Sequence, residues 1–427
     1  MTLPSTLSGW LEYIERQHPQ SIALGLDRVN VVRDALSLKP EFPLITVGGT
    51  NGKGSACMML DAVLGCAGYR VGTYTSPHLL RYNERVRIGG REAGDADLVR
   101  AFAAVEQART VCNVPLTYFE FGTLAAVWLF CESRVDVAIL EVGLGGRLDA
   151  VNAFDADAAL LMRVGLDHME NLGDTREAIG FEKAHIFRAA RPAICADAEP
   201  PATVADYAAG IGADLLLIGR DFSYQAQPQQ WSYRGPGGDR HGLPLPALRG
   251  SFQLANASAC ITALDTLRGR LPVTTGNIRD GLVRVENPGR FQALPGRPTM
   301  ILDVAHNPHA AAALATNLAQ MTGYRNTLAV FSMLKDKDVA GVARVLRGHV
   351  DHWLVASLEG ARALPAAELE QYLRAAGVTV PIIICANIAE ACDRAYQMAG
   401  DGDRILAFGS FLTVAAAMTA VRARRDR

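Results

Sequence analysis

The feature that most limits what this chain can fold into is a recurrent run of apolar, β-prone residues with few polar interruptions. FPLITV, YRVGTYT, VDVAIL, ADAALLMRV and RPAICA occur in the first part, and TMILDVA, NTLAVFS, HWLVASL, VPIIICA and DRILAFG in the last. A strand that is apolar along its whole length buries both faces, the condition of a parallel sheet covered by helices. The segments between, such as SACMMLDAVLGCAG, carry helical spacing and end in Gly. The pattern predicts an α/β protein, and 427 residues exceed what one core usually organises, so two domains are expected. The boundary is placed in ENPGRFQALPGRP, Glu286 to Pro298, where prolines and glycines gather before a fresh strand. That gives a first domain over 1–288 and a second, doubly wound one over 289–427. The stretch from Gln225 to Pro246, with GPGGDRHGLPLP, reads as a loop-rich excursion inside the first domain, with helical patterning resuming at Leu254.

Composition narrows the function classes. The formal net charge of −2 supplies no global field toward nucleic acid or an anionic membrane, so neither is expected as a partner. Eight cysteines are scattered without a CxxC pair, several in apolar runs, and read as buried thiols in a reducing compartment. The first residues lack a basic region followed by an apolar core, and no apolar stretch approaches the roughly 18 residues of a membrane span. A cytoplasmic protein is expected.

The polar residues that follow each strand carry the chemistry. FPLITV runs into GGTNGKGS, YRVGTYT into Ser76-Pro77-His78, VDVAIL into Glu141 and VGLGGRLDAVN, and ADAALLMRV into GLDHMENLG with Asp167 and His168. Ligands of open parallel sheets bind outside the carboxyl ends of the strands, so these four ends imply one crevice. In GGTNGKGS, Gly residues let backbone N–H groups converge on phosphate oxygens at a helix N-terminus, with Lys53 for the terminal phosphates and a hydroxyl for Mg²⁺. The match to GxxxxGK[ST] is imperfect: Val47 takes the first Gly position and Gly54 separates Lys53 from Ser55. The plain alternative is a Gly-rich turn, which the strand before, the helix after and the lysine inside argue against. Glu141 suits a metal-coordinating carboxylate or a strand-end carboxylate bonded to loop N–H groups. His168 is either a structural imidazole or a ligand, though Mg²⁺ prefers oxygen. Lys183, in GFEKAHIFR, reads on its own as a solvated Glu–Lys pair on a helix. In the second domain Asp303, His306 and Asn307 follow one strand, Lys335 and Asp336 another, and Ser410 a third. Asn307 and Asp336 also fit helix caps.

GTNGKGS, TSPHL, TYFEFGT, ILEVGLGGRLDAVN, LDHMENLG, EKAHIF, PGRFQ and LDVAHNPHAA, in this order, resemble the folylpolyglutamate synthase and dihydrofolate synthase family, nearest to its bifunctional bacterial members. The likeness runs from about Leu7 to Val414. It implies a P-loop ATPase domain with a mostly parallel sheet, a smaller Rossmann-like glutamate-ligase domain, and an active site between them. It further implies ATP and Mg²⁺ as cofactors, dihydropteroate or a folate plus L-glutamate as substrates, and a monomer. ATP would phosphorylate the substrate carboxylate, and the glutamate amino group would attack the acyl phosphate.

By the same resemblance Asn51, Gly52, Lys53, Gly54 and Ser55 hold the triphosphate, and Asn256, Arg290 and Asp303 contact the nucleotide. Ser55, Ser76, Glu141, His168 and Lys183 form the metal set, Lys183 matching a lysine carbamylated in this family. Ala23, Leu24, Gly25, Leu26, Phe119 and Asp149 border the pterin site, His306 faces the reacting groups, and Lys335 and Ser410 orient glutamate. Two positions depart from the family pattern: Ala23 stands where an Asp is common, and Glu170 where an Asp is frequent.

Such chemistry places a carboxylate beside a triphosphate, so cations must offset the gathered negative charge. Water must be excluded from the acyl phosphate, and the Glu286–Pro298 stretch reads as a hinge for closure. Two rival readings are a muramyl-type ligase of cell-wall synthesis and a P-loop nucleotide switch. The first would need a nucleotide-sugar domain ahead of the loop, where only 47 residues precede Gly48. The second lacks an NKxD signature. A third, a descendant that binds folate without catalysis, sits poorly with the intact phosphate loop.

Overall fold

A computed structural model describes residues 3–20, 22–250, 252–360 and 362–425. The chain divides into two compact units, one of Met1–Ala247 with Leu254–Val285, the other of Leu248–Gln253 with Glu286–Arg427.

The larger unit is built on an eight-stranded sheet: β1 Leu44–Gly48, β2 Val71–Tyr74, β3 Val86–Ile88, β4 Arg91–Glu92, β5 Val137–Glu141, β6 Ala158–Leu161, β7 Pro192–Cys195 and β8 Asp214–Leu217. The order is β4-β3-β2-β5-β1-β6-β7-β8, parallel from β2 to β8, with β3 and β4 added antiparallel at one edge. The sequence did not announce β3, β4 or β8, which are short and partly exposed. β1 and β5 lie in the middle and are buried at every residue, as strands covered on both faces must be. Helix Lys53–Cys66 packs on this sheet and against helix Thr275–Arg284, so closely that a Cβ at Gly281 would come within 2.5 Å of the Val63 Cα.

The stretch from Gln225 to Pro246 is not a loop. It contributes most of a three-stranded antiparallel sheet of β9 Ser223–Ala226, β10 Gln230–Arg234 and β11 Arg240–Pro244. Trp231 and Tyr233, two residues apart, turn to the buried face, and Tyr233 reaches Thr262 with a 2.9 Å hydroxyl contact. This period-2 signal is only two side chains long, and the surrounding Gly and Pro hid it.

The smaller unit holds a six-stranded sheet of β12 Gln292–Leu294, β13 Thr299–Asp303, β14 Thr327–Phe331, β15 His352–Ala356, β16 Ile382–Cys385 and β17 Arg404–Phe408, ordered β12-β13-β17-β14-β15-β16. All pairings are parallel except β12 with β13. The Glu286–Pro298 stretch is therefore not wholly linker: Gln292–Leu294 within it form an edge strand. Phe331, Trp353 and Phe408 form the aromatic centre of this core, with ring centroids 4.8–6.0 Å apart. Among the described residues no helix is long and apolar enough to cross a membrane.

Candidate active site

The loop after β1 owes its path to two glycines. Gly49 has φ +136°, and a Cβ there would meet Met162 at 2.9 Å; Gly52 has φ +93° and would press a Cβ to 3.0 Å from Asn256 Oδ1. Left-handed backbone with no room for a side chain requires Gly. Helix Lys53–Cys66 begins directly after, so its first N–H groups face the loop. Lys53 Nζ donates back to Gly49 O (3.0 Å) and, at 3.4 Å, to Thr50 O. Asn256 lies against the glycine-rich loop at Gly52.

Hydrogen bonds lace this loop to the loop after β6. Thr50 N donates to Arg163 O at 2.6 Å, and Thr50 Oγ1 both donates to Gly165 O and accepts from Gly165 N, each at 3.0 Å. Asp167 and His168 follow within three residues. The His168 imidazole lies between carboxylates, 3.9 Å from Asp167 and 3.7 Å from Glu170. The Ser76 backbone N–H, after β2, donates to Glu141 Oε2 at 3.0 Å, and Glu141 is 3% exposed at the end of β5. These four strands are neighbours in the order β2-β5-β1-β6, so their carboxyl ends lie side by side along the sheet.

The loop after β5 carries the next layer. A Cβ on Gly146 would strike the Glu182 and Lys183 carbonyls at 2.7 and 3.0 Å, so this glycine lets the loop lie on helix Arg176–Ala184. Glu182 is paired with Arg147, not with its neighbour, and Lys183 is turned inward and buried. The solvated Glu–Lys alternative does not hold. Burial and then repulsion from Lys53 push the Lys183 amine down to about 7, against the opposing pull of Asp167 and Asp149. Asp149 is also buried, and burial raises its carboxyl to about 6 although Leu144 N and Val151 N donate to it at 2.9 and 3.0 Å. Phe119, in the first turn of helix Tyr118–Glu132, lies against Gly143, whose added Cβ would sit 2.6 Å from the ring. Ala23–Leu26 reach the same neighbourhood through Gly25 N, which donates to Leu148 O at 3.2 Å.

The smaller unit assembles its own cluster. Asp303 accepts from Phe291 N (2.9 Å) and Ala305 N (2.8 Å), and burial raises its carboxyl. His306 Nδ1 lies 2.8 Å from Val304 O, and the Arg290 guanidinium stacks 4.9 Å over the Phe411 ring. Asn307 caps helix Pro308–Gln320 through Ala310 N. Ser410 is buried and its Oγ accepts from Thr413 N at 3.0 Å, which is a helix cap. Lys335 is exposed.

Among the described residues no three His, Cys, Asp or Glu side chains converge into a metal cage. Mg²⁺ usually keeps several waters and takes one or two carboxylates plus substrate phosphates, so a buried Glu141 beside a phosphate loop fits that ion better than a closed cage would. Sequence reasoning gave no role to Thr50, Arg28 or Glu120. The last was visible as the T-x-x-E capping box Thr117–Glu120.

Residues 47–264 match the Mur ligase middle domain, and residues 289–411 the Mur ligase, glutamate ligase domain. The dihydrofolate synthase/folylpolyglutamate synthase of Escherichia coli (strain K12) is 44% identical over 424 residues, covering 99% of this chain and 97% of the relative. The structure of E. coli FolC in complex with DHPP and ADP aligns with a TM-score of 0.94 and 43% identity across 100% of both chains. A bifunctional folylpolyglutamate synthase/dihydrofolate synthase with Mn, AMPPNP and L-glutamate bound aligns with a TM-score of 0.90 and 42% identity, over 99% of this chain and 100% of that one.

Proposed function

The chain belongs to the dihydrofolate synthase/folylpolyglutamate synthase family, and we propose that the residues gathered at the strand ends divide its chemistry as follows. The enzyme is an ATP-dependent ligase that joins L-glutamate to dihydropteroate and to the glutamate tail of folates through an acyl phosphate. The identity to a folate ligase along almost the whole chain favours this substrate class over muramyl substrates.

Asn51, Gly52, Lys53, Gly54 and Ser55 hold the triphosphate, the backbone N–H groups by direction and Lys53 by charge. Asn256 contacts the nucleotide from its place beside Gly52. Arg290 and Asp303 do so from the smaller unit, Asp303 mainly by stiffening the turn that also carries His306. Mg²⁺, when bound, supplies positive charge against the phosphate oxygens during phosphoryl transfer. Ser55, Ser76, Glu141, His168 and Lys183 are the groups that would hold it. A lysine with its amine near 7 is substantially neutral at physiological pH, the form that adds CO₂ to give a carbamate and release a proton. Such a Lys183 becomes an oxygen ligand. Phe119, Asp149 and Ala23–Leu26 border the pterin. His306 faces the reacting groups, and Lys335 orients the glutamate carboxylate while Ser410 fixes the start of the following helix.

The observation that carries this reading is the loop after β1 tied to the loop after β6, with buried Glu141 and near-neutral Lys183 around it. The enzyme is placed in the cytoplasm, where thiols stay reduced; its eight cysteines are free. Supplying ATP, Mg²⁺ and glutamate with either dihydropteroate or tetrahydrofolate, then identifying products by mass, tests the assignment. One added glutamyl residue in each case is expected. ATP consumption without an amide product would refute it.

A further inference from the structure

The segment Ala23–Leu26 is half-buried and belongs to no strand or helix, so no ladder holds it in place, and Leu26 alone of the four packs against the apolar core. Gly25 N to Leu148 O is one fastening. Another is Arg28, whose guanidinium donates to Ala23 O at 2.6 Å. The same guanidinium grips Glu120, with Nη2 at 2.7 Å from Oε1 and Nε at 3.4 Å from Oε2. Glu120 is only 5% exposed. Its Oε2 also accepts from Thr117 N at 2.7 Å, closing the capping box that starts helix Tyr118–Glu132. Phe119 is the neighbouring residue in that first turn. One guanidinium thus bridges the irregular segment and the turn that presents Phe119.

The placement of Arg28 is otherwise unfavourable. It sits in the first turn of helix Asp27–Ala35, where the helix dipole disfavours a cation, and Leu26 offers that helix no side-chain cap. The buried Glu120 carboxylate offsets this, and each charge would be left uncompensated without the other.

We infer that Arg28 is a positioning residue for the pteroyl end of the substrate, setting the gap between the Ala23–Leu26 backbone and the Phe119 turn. The inference rests on the proposal that these two elements border the pterin. A flat heterocycle demands a set gap, and misplacement by about 1 Å can cost on the order of 100-fold. Arg28 acts through the Ala23 carbonyl and Glu120, not on the reacting atoms.

The test uses the full-length enzyme and the variants Arg28→Met, Arg28→Lys, Glu120→Gln and Phe119→Ala, with dihydropteroate, ATP and glutamate varied in turn. Arg28→Met should raise KM for dihydropteroate roughly 10- to 100-fold, with kcat and KM for ATP changed less than about threefold. Arg28→Lys should recover part of the loss, because an ammonium replaces only one arm of the fork. Hydrogen exchange at the Gly25 amide should quicken in Arg28→Met. A folded Arg28→Met enzyme with an unchanged KM for dihydropteroate overturns the inference, as does an equal decline in every kinetic constant. Should Arg28→Met fail to fold, Arg28→Lys and Glu120→Gln carry the same comparison. Phe119→Ala separates the two levels. If it leaves KM for dihydropteroate unchanged, the pterin-site assignment itself falls; if it raises KM while Arg28→Met does not, only the positioning role falls.

Discussion

The two sheets carry polar residues at the same place, just past the carboxyl ends of their strands, yet they use them differently. The larger unit adds a group buried at a cost: Lys183, on the helix against which the loop after β5 lies, is driven toward neutrality by burial and by Lys53, while Asp149, raised to about 6, is a buried carboxyl bonded to backbone as Asp303 is. In the smaller unit many are committed to their own backbone: Asp303 to two N–H groups, Asn307 and Ser410 to helix starts. Strand-end position therefore marks where chemistry can occur, while burial and pairing decide which groups are held ready for it. Groups kept in an unfavourable protonation balance are candidates for reaction.

The sharpest way to break this contrast is to remove Lys53. Lys53→Ala should reduce ligation by at least about 10³-fold, since it deletes the loop's own cation at the point of phosphoryl transfer. The fold should survive, because among the described residues the side chain bonds to the Gly49 and Thr50 carbonyls of its own loop. Losing its repulsion should also let the Lys183 amine rise above about 7, observable by titrating that lysine with a specific label. Undiminished turnover in Lys53→Ala would refute the phosphate role.

Lys183→Met should lose at least about 100-fold in activity yet gain stability. The folded amine titrates near 7, while in an unfolded chain it titrates at about 10.4. Between those values the unfolded state binds more protons, so stability climbs as pH rises through the window. Below it, the full cost of burying an ammonium is carried. Lys183→Met has no such cost, so its advantage in thermal midpoint over the parent, measured without bicarbonate, should be larger at pH 6 than at pH 9. A variant less stable than the parent at pH 6 would mean that the amine is well paired there.

How much of this was legible beforehand follows the same physics. The long strands were readable because burial on both faces writes continuous apolar runs, as in β1 and β5. The antiparallel β9–β11 sheet was not, because one-sided burial left only isolated apolar residues, Trp231, Tyr233 and Leu243, among Gly, Pro and polar neighbours. The phosphate loop and Glu141 could be placed from strand ends alone. Lys183 could not: its sequence neighbour Glu182 suggested a surface pair, and only tertiary structure shows Glu182 turned to Arg147 and the lysine turned inward. Arg28 was equally hidden, since its partner Glu120 lies 92 positions away.

A subtler probe of the larger unit is Gly143→Ala. The three atoms nearest the new Cβ, at 2.6–2.9 Å, all belong to the Phe119 ring, so the ring must swing. KM for dihydropteroate should rise about tenfold with a change in stability below about 1 kcal/mol. The opposite balance in a single variant would show that Phe119 is packing rather than substrate surface.

Ser410→Ala supplies the smallest effect and completes the contrast from the other side. Its hydroxyl accepts from Thr413 N and lies 2.7 Å from Thr413 Oγ1, which in turn donates to Ser332 O at 2.7 Å. Removing a capping oxygen costs about 1 kcal/mol, and Thr413 would keep its bond to Ser332. The expected result is a lower denaturation midpoint with KM for glutamate held within about twofold. A large rise in that KM without loss of stability would move Ser410 from the helix start to the substrate, and the smaller unit would then hold a reactive group of its own, as the larger unit does in Lys183.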